Sequence, residues 1–407
     1  MKKKNNKNKL VPKLRFPEFT NDWETEQLSN LLDYERPDNY IVKDTNYTSE
    51  GTPVLTANKS FILGYTQESF GICNDIPAII FDDFTVDKKF VDFPFKVKSS
   101  AIKILRPKGK NDLKFLFELM SLIRFEAKEH KRYYISAYQN LTVPIPTPQE
   151  QQKIAACLSS LDDLITAESQ KLELYQQHKK CLLQNLFPNC LNYDSHRLND
   201  GQDSKNQGNQ ENHKNQGSDN VPKFRFPEFV DSGEWEVKRL GEVLDYERPD
   251  KYIVSSENYN DSGIPVLTAN KSFILGYTNE TEGVCKNLPA IIFDDFTTDK
   301  KYVDFPFKVK SSAIKILRPK GNENLKFIFE LMTLIRFEAK EHKRYYISSY
   351  QNLLVPIPKP QEQQKIAACL SSLDDLINAQ SQKIELLQQH KKGLLQGLFP
   401  NLNEVTE

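Results

Sequence analysis

The sequence predicts an α+β protein made twice over from one module, each module a mixed head followed by a long helix. An internal repeat, a polar tether and an apolar helical seam predict it. VPKLRFPEF at residues 11–19 returns as VPKFRFPEF at 221–229. From Trp23 onward the second copy runs 212 positions later until Pro188 meets Pro400, and 129 of those 166 aligned positions are identical. Copies this close share one fold and one binding preference.

The predicted order is a basic tail (1–10), a first head (11–148), a first long helix (149–190), a tether (191–220), a second head (221–360), a second long helix (361–400) and a short tail (401–407). The tether is dominated by Asn, Asp, Gln, Ser, Gly, His and Lys, so it lacks the apolar surface needed to order itself. Each helix carries apolar residues at alternating four and three spacing, which is a coiled-coil seam. In the first copy these are Ile154, Leu158, Leu161, Ile165, Leu172, Tyr175, Leu182 and Leu186. In the second they are Ile366, Leu370, Leu373, Ile377, Ile384, Leu387, Leu394 and Leu398. At about 1.5 Å per residue a helix of this kind is about 58 Å long, a spacer. Polar residues interrupt the seams at Glu168, Lys179, Gln380 and Lys391. Antiparallel pairing would bring Glu168 near Lys391, a contact that sets register more than it stabilises.

Composition bounds the function. Hydrophobic content of 38% and aromatic content of 11% are those of a folded chain. No apolar run reaches the about 18 residues of a membrane span, and the basic start leads into VPKLRF without the apolar core of a secretory signal. A cytoplasmic location is expected. Cys73, Cys157, Cys181, Cys190, Cys285 and Cys369 show no CxxC spacing and read as reduced, small apolar residues. Net charge is zero, so any grip on nucleic acid rests on local patches.

Within a head, residues 77–81 read as a buried strand and 95–98 as a half-exposed one, while 113–130 read as a helix with Leu116, Leu119, Met120, Ile123 and Ala127 on one face. Residues 88–108 hold six lysines and one arginine against the single acid Asp92. From this and two further clusters come the candidate DNA contacts. They are Lys88, Lys89, Lys96 and Lys98 as a basic row; Asn58, Lys59 and Ser60 in a loop; and Lys131, Arg132, Tyr133, Tyr134, Tyr138 and Gln139. Their second-copy counterparts are Lys300, Lys301, Lys308 and Lys310; Asn270, Lys271 and Ser272; and Lys343, Arg344, Tyr345, Tyr346, Tyr350 and Gln351. Cations that hold phosphates beside amides and hydroxyls that reach base edges are what duplex recognition requires. Solvated lysine faces and packed tyrosines are the bland alternatives.

Catalytic machinery is scarce in the sequence. There is no GxxxxGK[ST] phosphate loop, no FxGxG-like cofactor turn and no NPPY-like tetrad. A metal-dependent endonuclease acting alone, centred on Asp82, Glu126 and Lys128, is the alternative. Asp82 and Asp83 are adjacent, so in a strand they face opposite ways and suit a turn better than a shared metal. A pure interaction scaffold using the coiled coil is a third possibility.

RFPEF followed by Trp23-Glu24 and Trp235-Glu236, then VPIPTPQEQQKIAACLSSLDDLI (VPIPKPQEQQKIAACLSSLDDLI) and a closing KKCLLQNLFP (KKGLLQGLFP), resembles the specificity subunit of type I restriction-modification systems. The resemblance covers nearly the whole chain. It implies two target-recognition domains joined by two long helices in an antiparallel coiled coil with pseudo-twofold symmetry, each head gripping half of a split site on double-stranded DNA. It also implies no cofactor on this chain. Two modification subunits would bring S-adenosylmethionine, and restriction subunits would bring ATP-dependent, magnesium-dependent cleavage. The similarity of the two heads departs from the family's usual pattern of unlike heads, and predicts a palindromic target.

Overall fold

The computed structural model describes residues 10–57, 60–127, 131–188, 220–269, 272–337, 339 and 343–402. In the first copy the elements are β1 (Glu24–Gln27), α1 (Leu28–Leu31), β2 (Leu32–Glu35), β3 (Thr52–Leu55), β4 (Ile62–Thr66), β5 (Ala78–Asp82), β6 (Lys88–Val91), β7 (Lys96–Val97), β8 (Ile102–Pro107), α2 (Leu113–Leu122), β9 (Thr142–Ile145) and α3 (Pro148–Leu186). The second copy repeats them as β10 (Glu236–Arg239), α4 (Leu240–Val243), β11 (Leu244–Glu247), β12 (Ile264–Leu267), β13 (Ile274–Thr278), β14 (Ala290–Asp294), β15 (Lys300–Val303), β16 (Lys308–Val309), β17 (Ile314–Pro319), α5 (Leu325–Leu334), β18 (Leu354–Ile357) and α6 (Pro360–Leu398). Among the described residues no helix is long and apolar enough to cross a membrane.

The chain divides into two compact units, and the division cuts both long helices. Unit 1 is Met1–Gln170 with Ser381–Glu407, and unit 2 is Lys171–Gln380. Each unit therefore holds one head, the start of that head's own helix and the end of the other copy's helix.

In unit 1 the central sheet has the order β2-β8-β5-β6, all antiparallel, beside a smaller sheet β4-β3-β7 and the pair β1-β9. Strand β5 is buried along its whole length because both faces are covered. Ile79 and Phe81 face α2 and the helix ends, while Ala78 and Ile80 face a second core with Leu55, Phe95, Val97 and Ile104. Asp112 caps α2 by accepting the Phe115 N–H at 2.9 Å. The helix ends at Leu122, short of the expected 130, because Ile123 turns extended. That turn delivers Phe125 against Tyr133 and Tyr138, each 5.4 Å between ring centroids.

The helix halves in unit 1 run antiparallel. Lys383 meets Glu168 at 2.5 Å, Lys391 meets Asp162 at 2.7 Å, and Phe399 stacks on Phe115 at 5.1 Å with Trp23 edge-on at 6.2 Å. The expected contact between Glu168 and Lys391 is thus displaced along the helix. Lys391 joins a four-group cluster instead, with Asp162, the buried Glu118 at 3.1 Å and Lys114, which bridges both acids at 3.0 and 2.9 Å. Of the seam residues, Ile154, Leu158, Leu186, Ile366, Leu370, Leu373, Ile384 and Leu398 are buried, and Leu161, Ile165, Leu172, Leu182, Ile377 and Leu394 are half-buried.

The family-like motifs are the fastenings of this unit. Arg15 of RFPEF makes two 2.8 Å bonds to Glu150 in the first turn of α3, and Trp23 donates its indole N–H to the same carboxylate at 3.2 Å. Gln151 accepts the Asp112 N–H at 2.9 Å and donates to the Pro146 carbonyl at 3.0 Å. A bidentate pair with a buried acid fixes the arm to the helix.

Unit 2 has the same construction, with sheets β11-β17-β14-β15 and β13-β12-β16 and the pair β10-β18. Lys179 meets Asp374 at 2.6 Å and Glu330 at 3.1 Å, and Lys326 bridges both acids at 2.9 Å. Phe187 stacks on Phe327 at 5.2 Å beside Trp235 at 6.1 Å, and Arg225 clasps Glu362 at 2.8 and 2.7 Å.

Candidate nucleic-acid interface

The site is built on two adjacent aspartates at the end of β5. Asp82 accepts the backbone N–H groups of Phe84 and Thr85, both at 2.9 Å, and closes a tight turn. Val86, which donates its N–H to the Asp82 carbonyl at 3.0 Å, is held at φ 56°, and Thr298 in the second copy at φ 60°. A β-branched residue there is strained, and the strain recurs in both copies.

Asp83 points the other way and is 1% exposed. Its carboxylate pairs with buried Lys103 at 2.9 Å and accepts the Tyr134 N–H at 2.8 Å. Its N–H donates to the Ala101 carbonyl, and its own carbonyl accepts the Tyr133 N–H, both at 2.8 Å. One residue thereby ties the 131–134 segment to the loop before β8. The buried charge is tolerable because pairing and hydrogen bonding satisfy it together. Asp295 repeats each contact, with Lys315 at 3.2 Å and the Tyr346 N–H at 2.8 Å.

What this fastening presents is a polar, cationic surface. Arg132, about half exposed, donates to the Ser100 carbonyl at 3.1 Å and lies over the Phe84 ring at 5.5 Å. Lys131 lies over Tyr133 at 5.6 Å, Ser136 donates to the Arg132 carbonyl at 2.8 Å, and Gln139 donates to the Ile135 carbonyl at 3.1 Å. Lys98, just before Ser100 in the chain, is exposed, and its N–H bonds the Leu55 carbonyl at 3.0 Å where the β3–β4 hairpin begins. In unit 2, Arg344 donates to Ser312 at 3.2 Å over Phe296 at 5.6 Å, and Gln351 donates to Ile347 at 2.9 Å.

Several predicted contacts lie elsewhere. Lys96 and Lys308 are buried, paired with Glu68 at 3.0 Å and Glu280 at 2.9 Å, and donate to the carbonyls of Phe70 and Glu282 at 2.8 Å. They cannot touch a duplex from there, because β7 pairs with β3 inside the head and 95–98 is not the half-exposed strand its alternation suggested. Tyr133, Tyr134, Tyr138, Tyr345, Tyr346 and Tyr350 are also buried. Tyr134 and Tyr138 pack on Phe81 at 5.2 and 4.8 Å, so they are core side chains and do not read bases. Lys88, Lys89, Lys300 and Lys301 are half-buried on edge strands; Lys88 lies over Tyr138 at 5.7 Å, and burial pushes its pKa down, and that of Lys300 to about 8. The lysines therefore do not form one row. Asn58, Lys59, Asn270 and Lys271 lie outside the described residues, while Ser60 and Ser272 beside them are exposed.

Lys131, Arg132 and Gln139 share one segment, which Arg132 ties to Ser100, and exposed Lys98 precedes that serine in the chain; Lys310, Lys343, Arg344 and Gln351 stand likewise in the second copy. Sequence reasoning missed Asp83, Lys103, Ser100 and Ile135; the Asp82-Asp83 pair was visible, and only its second member's buried partner was not. The nuclease alternative loses its geometry. Asp82 spends its carboxylate on a turn, Glu126 lies beyond the end of α2, and Lys128 is outside the described residues.

The family model for the type I restriction modification DNA specificity domain matches twice, at residues 20–174 and 232–389. The EcoR124I/EcoR124II specificity subunit of Escherichia coli is 44% identical over 152 residues, covering 36% of this chain and 38% of that one, so the chain spans less than half of that relative. The putative MjaX specificity subunit of Methanocaldococcus jannaschii is 22% identical over 432 residues, 94% of each chain. A solved type I restriction-modification S subunit from M. genitalium superposes with a TM-score of 0.66 at 17% identity, covering 96% of this chain and 99% of that one.

Proposed function

Because the chain belongs to the type I restriction-modification DNA specificity family and is a non-catalytic specificity subunit with two target-recognition domains, we propose that its two heads read two like half-sites of a split, palindromic target. The observation that carries this is the identity of the two candidate surfaces. Phe84, Lys98, Ser100, Arg132, Ile135, Ser136 and Gln139 recur unchanged as Phe296, Lys310, Ser312, Arg344, Ile347, Ser348 and Gln351. Differences between the copies gather instead at residues 25–31, 43–52 and 67–76. Like surfaces select like bases, and helix segments that run antiparallel in each unit suit inverted half-sites.

Exposed Lys98, Lys131 and Arg132 would hold phosphates, which a neutral chain must do locally. Two modification subunits would carry S-adenosylmethionine and the methyl-transfer chemistry, and restriction subunits would add ATP- and magnesium-dependent cleavage. Mapping methylated positions in a genome that carries the system tests the reading. The expected motif is two identical, inverted half-sites around an unread spacer. Two unlike half-sites, or an undivided site, overturn it.

A further inference from the structure

We infer that Ile135 and Ile347 are specificity-determining residues that contact the 5-methyl group of a thymine in each half-site. The inference rests on the reading of this surface as the DNA interface.

Ile135 and Ile347 are each 50% exposed, on a segment whose other exposed residues are charged or polar. An exposed isoleucine contributes little to folding. Its backbone is nonetheless held firmly: Asp83 fixes Tyr133 and Tyr134, Ser136 bonds back to the Arg132 carbonyl, and the Ile135 carbonyl accepts from Gln139. Along the segment it lies among Arg132, Ser136 and Gln139, the residue types that reach phosphates and base edges. It is unchanged in the second copy, where Asp295, Arg344, Ser348 and Gln351 repeat the surroundings. An aliphatic group on a rigidly held backbone, set in an interface, is best matched by an apolar counterpart. Of the base edges in the major groove only thymine offers one, its 5-methyl group.

The test uses the chain assembled with its modification subunits and duplexes carrying the mapped target, each thymine replaced in turn by deoxyuridine, which removes only the methyl group. One position per half-site should lose about fourfold in affinity, and both together about fifteenfold. The double variant Ile135→Ala, Ile347→Ala should bind the thymine duplex about fifteenfold more weakly and be indifferent to deoxyuridine. The inference is overturned by half-sites lacking any A·T pair, by wild-type tolerance of every replacement, or by a double variant that stays sensitive. Equal loss on all sequences, with unstacking of a neighbouring 2-aminopurine, would mean a wedge and also overturns it. Failure of the wild-type complex to prefer its target over other DNA would sink the proposed function itself, whereas specific binding with uracil tolerance sinks only this inference.

Discussion

Lys391 and Asp162 lie 2.7 Å apart although 229 positions separate them, so the end of the second long helix is keyed to the start of the first. Glu118, almost fully buried, receives Lys391 and Lys114 in the same cluster. The seam leaves several axial offsets open, and the charges select one.

Lys391→Ala should destabilise unit 1 by about 2 kcal/mol, less than for a fully buried pair because Lys391 keeps some solvent contact. The Lys179–Asp374–Glu330 cluster in unit 2 should be untouched. Hydrogen exchange resolved by unit, with early loss of protection in residues 148–170, checks it.

Acid should loosen the same junction. Burial pushes the Asp162 carboxyl upward, but hydrogen bonds from Lys391 and Lys114 outweigh it and hold the pKa below its usual value; Asp374 is held down likewise by Lys179 and Lys326. A carboxyl depressed in the folded state stabilises it above its ordinary pKa of about 4, and that stabilisation is lost as pH falls through the lowered value. Urea midpoints from neutral pH down to about 3 should fall more steeply for wild type than for Lys391→Ala.

Phe399→Ala should open the core of head 1. Phe399 fills the space between Trp23 and Phe115, and its loss should cost about 3–5 kcal/mol. Phe187→Ala should do the same to head 2. Tryptophan fluorescence distinguishes them, since Trp23 and Trp235 report on one unit each.

Arg132→Ala with Arg344→Ala should weaken DNA binding and flatten its salt dependence by roughly one unit of slope per head if each contacts one phosphate. Affinities measured across a salt series, on target and non-target duplexes, give the slope. An unchanged slope with lost target preference would place both arginines on guanine edges instead.

The repeat, the seam and the buried strand β5 were legible because each depends on local periodicity or self-similarity. The register was not, since the spacing that put Glu168 and Lys391 on the seam says nothing about axial offset. Lys96 illustrates the same limit: its acid, Glu68, lies on another segment, and alternation cannot announce a buried ion pair. Residues 123–127 kept a helical pattern, but placing Phe125 against Tyr133 and Tyr138 required the chain to leave the helix. Tyr134 and Tyr138 looked like base readers because tyrosine serves packing and recognition equally well; Asp83 and Lys103 decide which face of their segment turns inward.

Leu186-Phe187-Pro188 and Leu398-Phe399-Pro400 are the same tripeptide, and each is received by a matching Trp and Phe in the opposite copy's head. Plug and socket are therefore interchangeable parts. A crossover in the gene that trades one head for another, while sparing these few codons and the Arg–Glu clasp, would encode a chain whose closures all still fit. New sequence preferences become reachable by shuffling whole cassettes, without redesigning the joints.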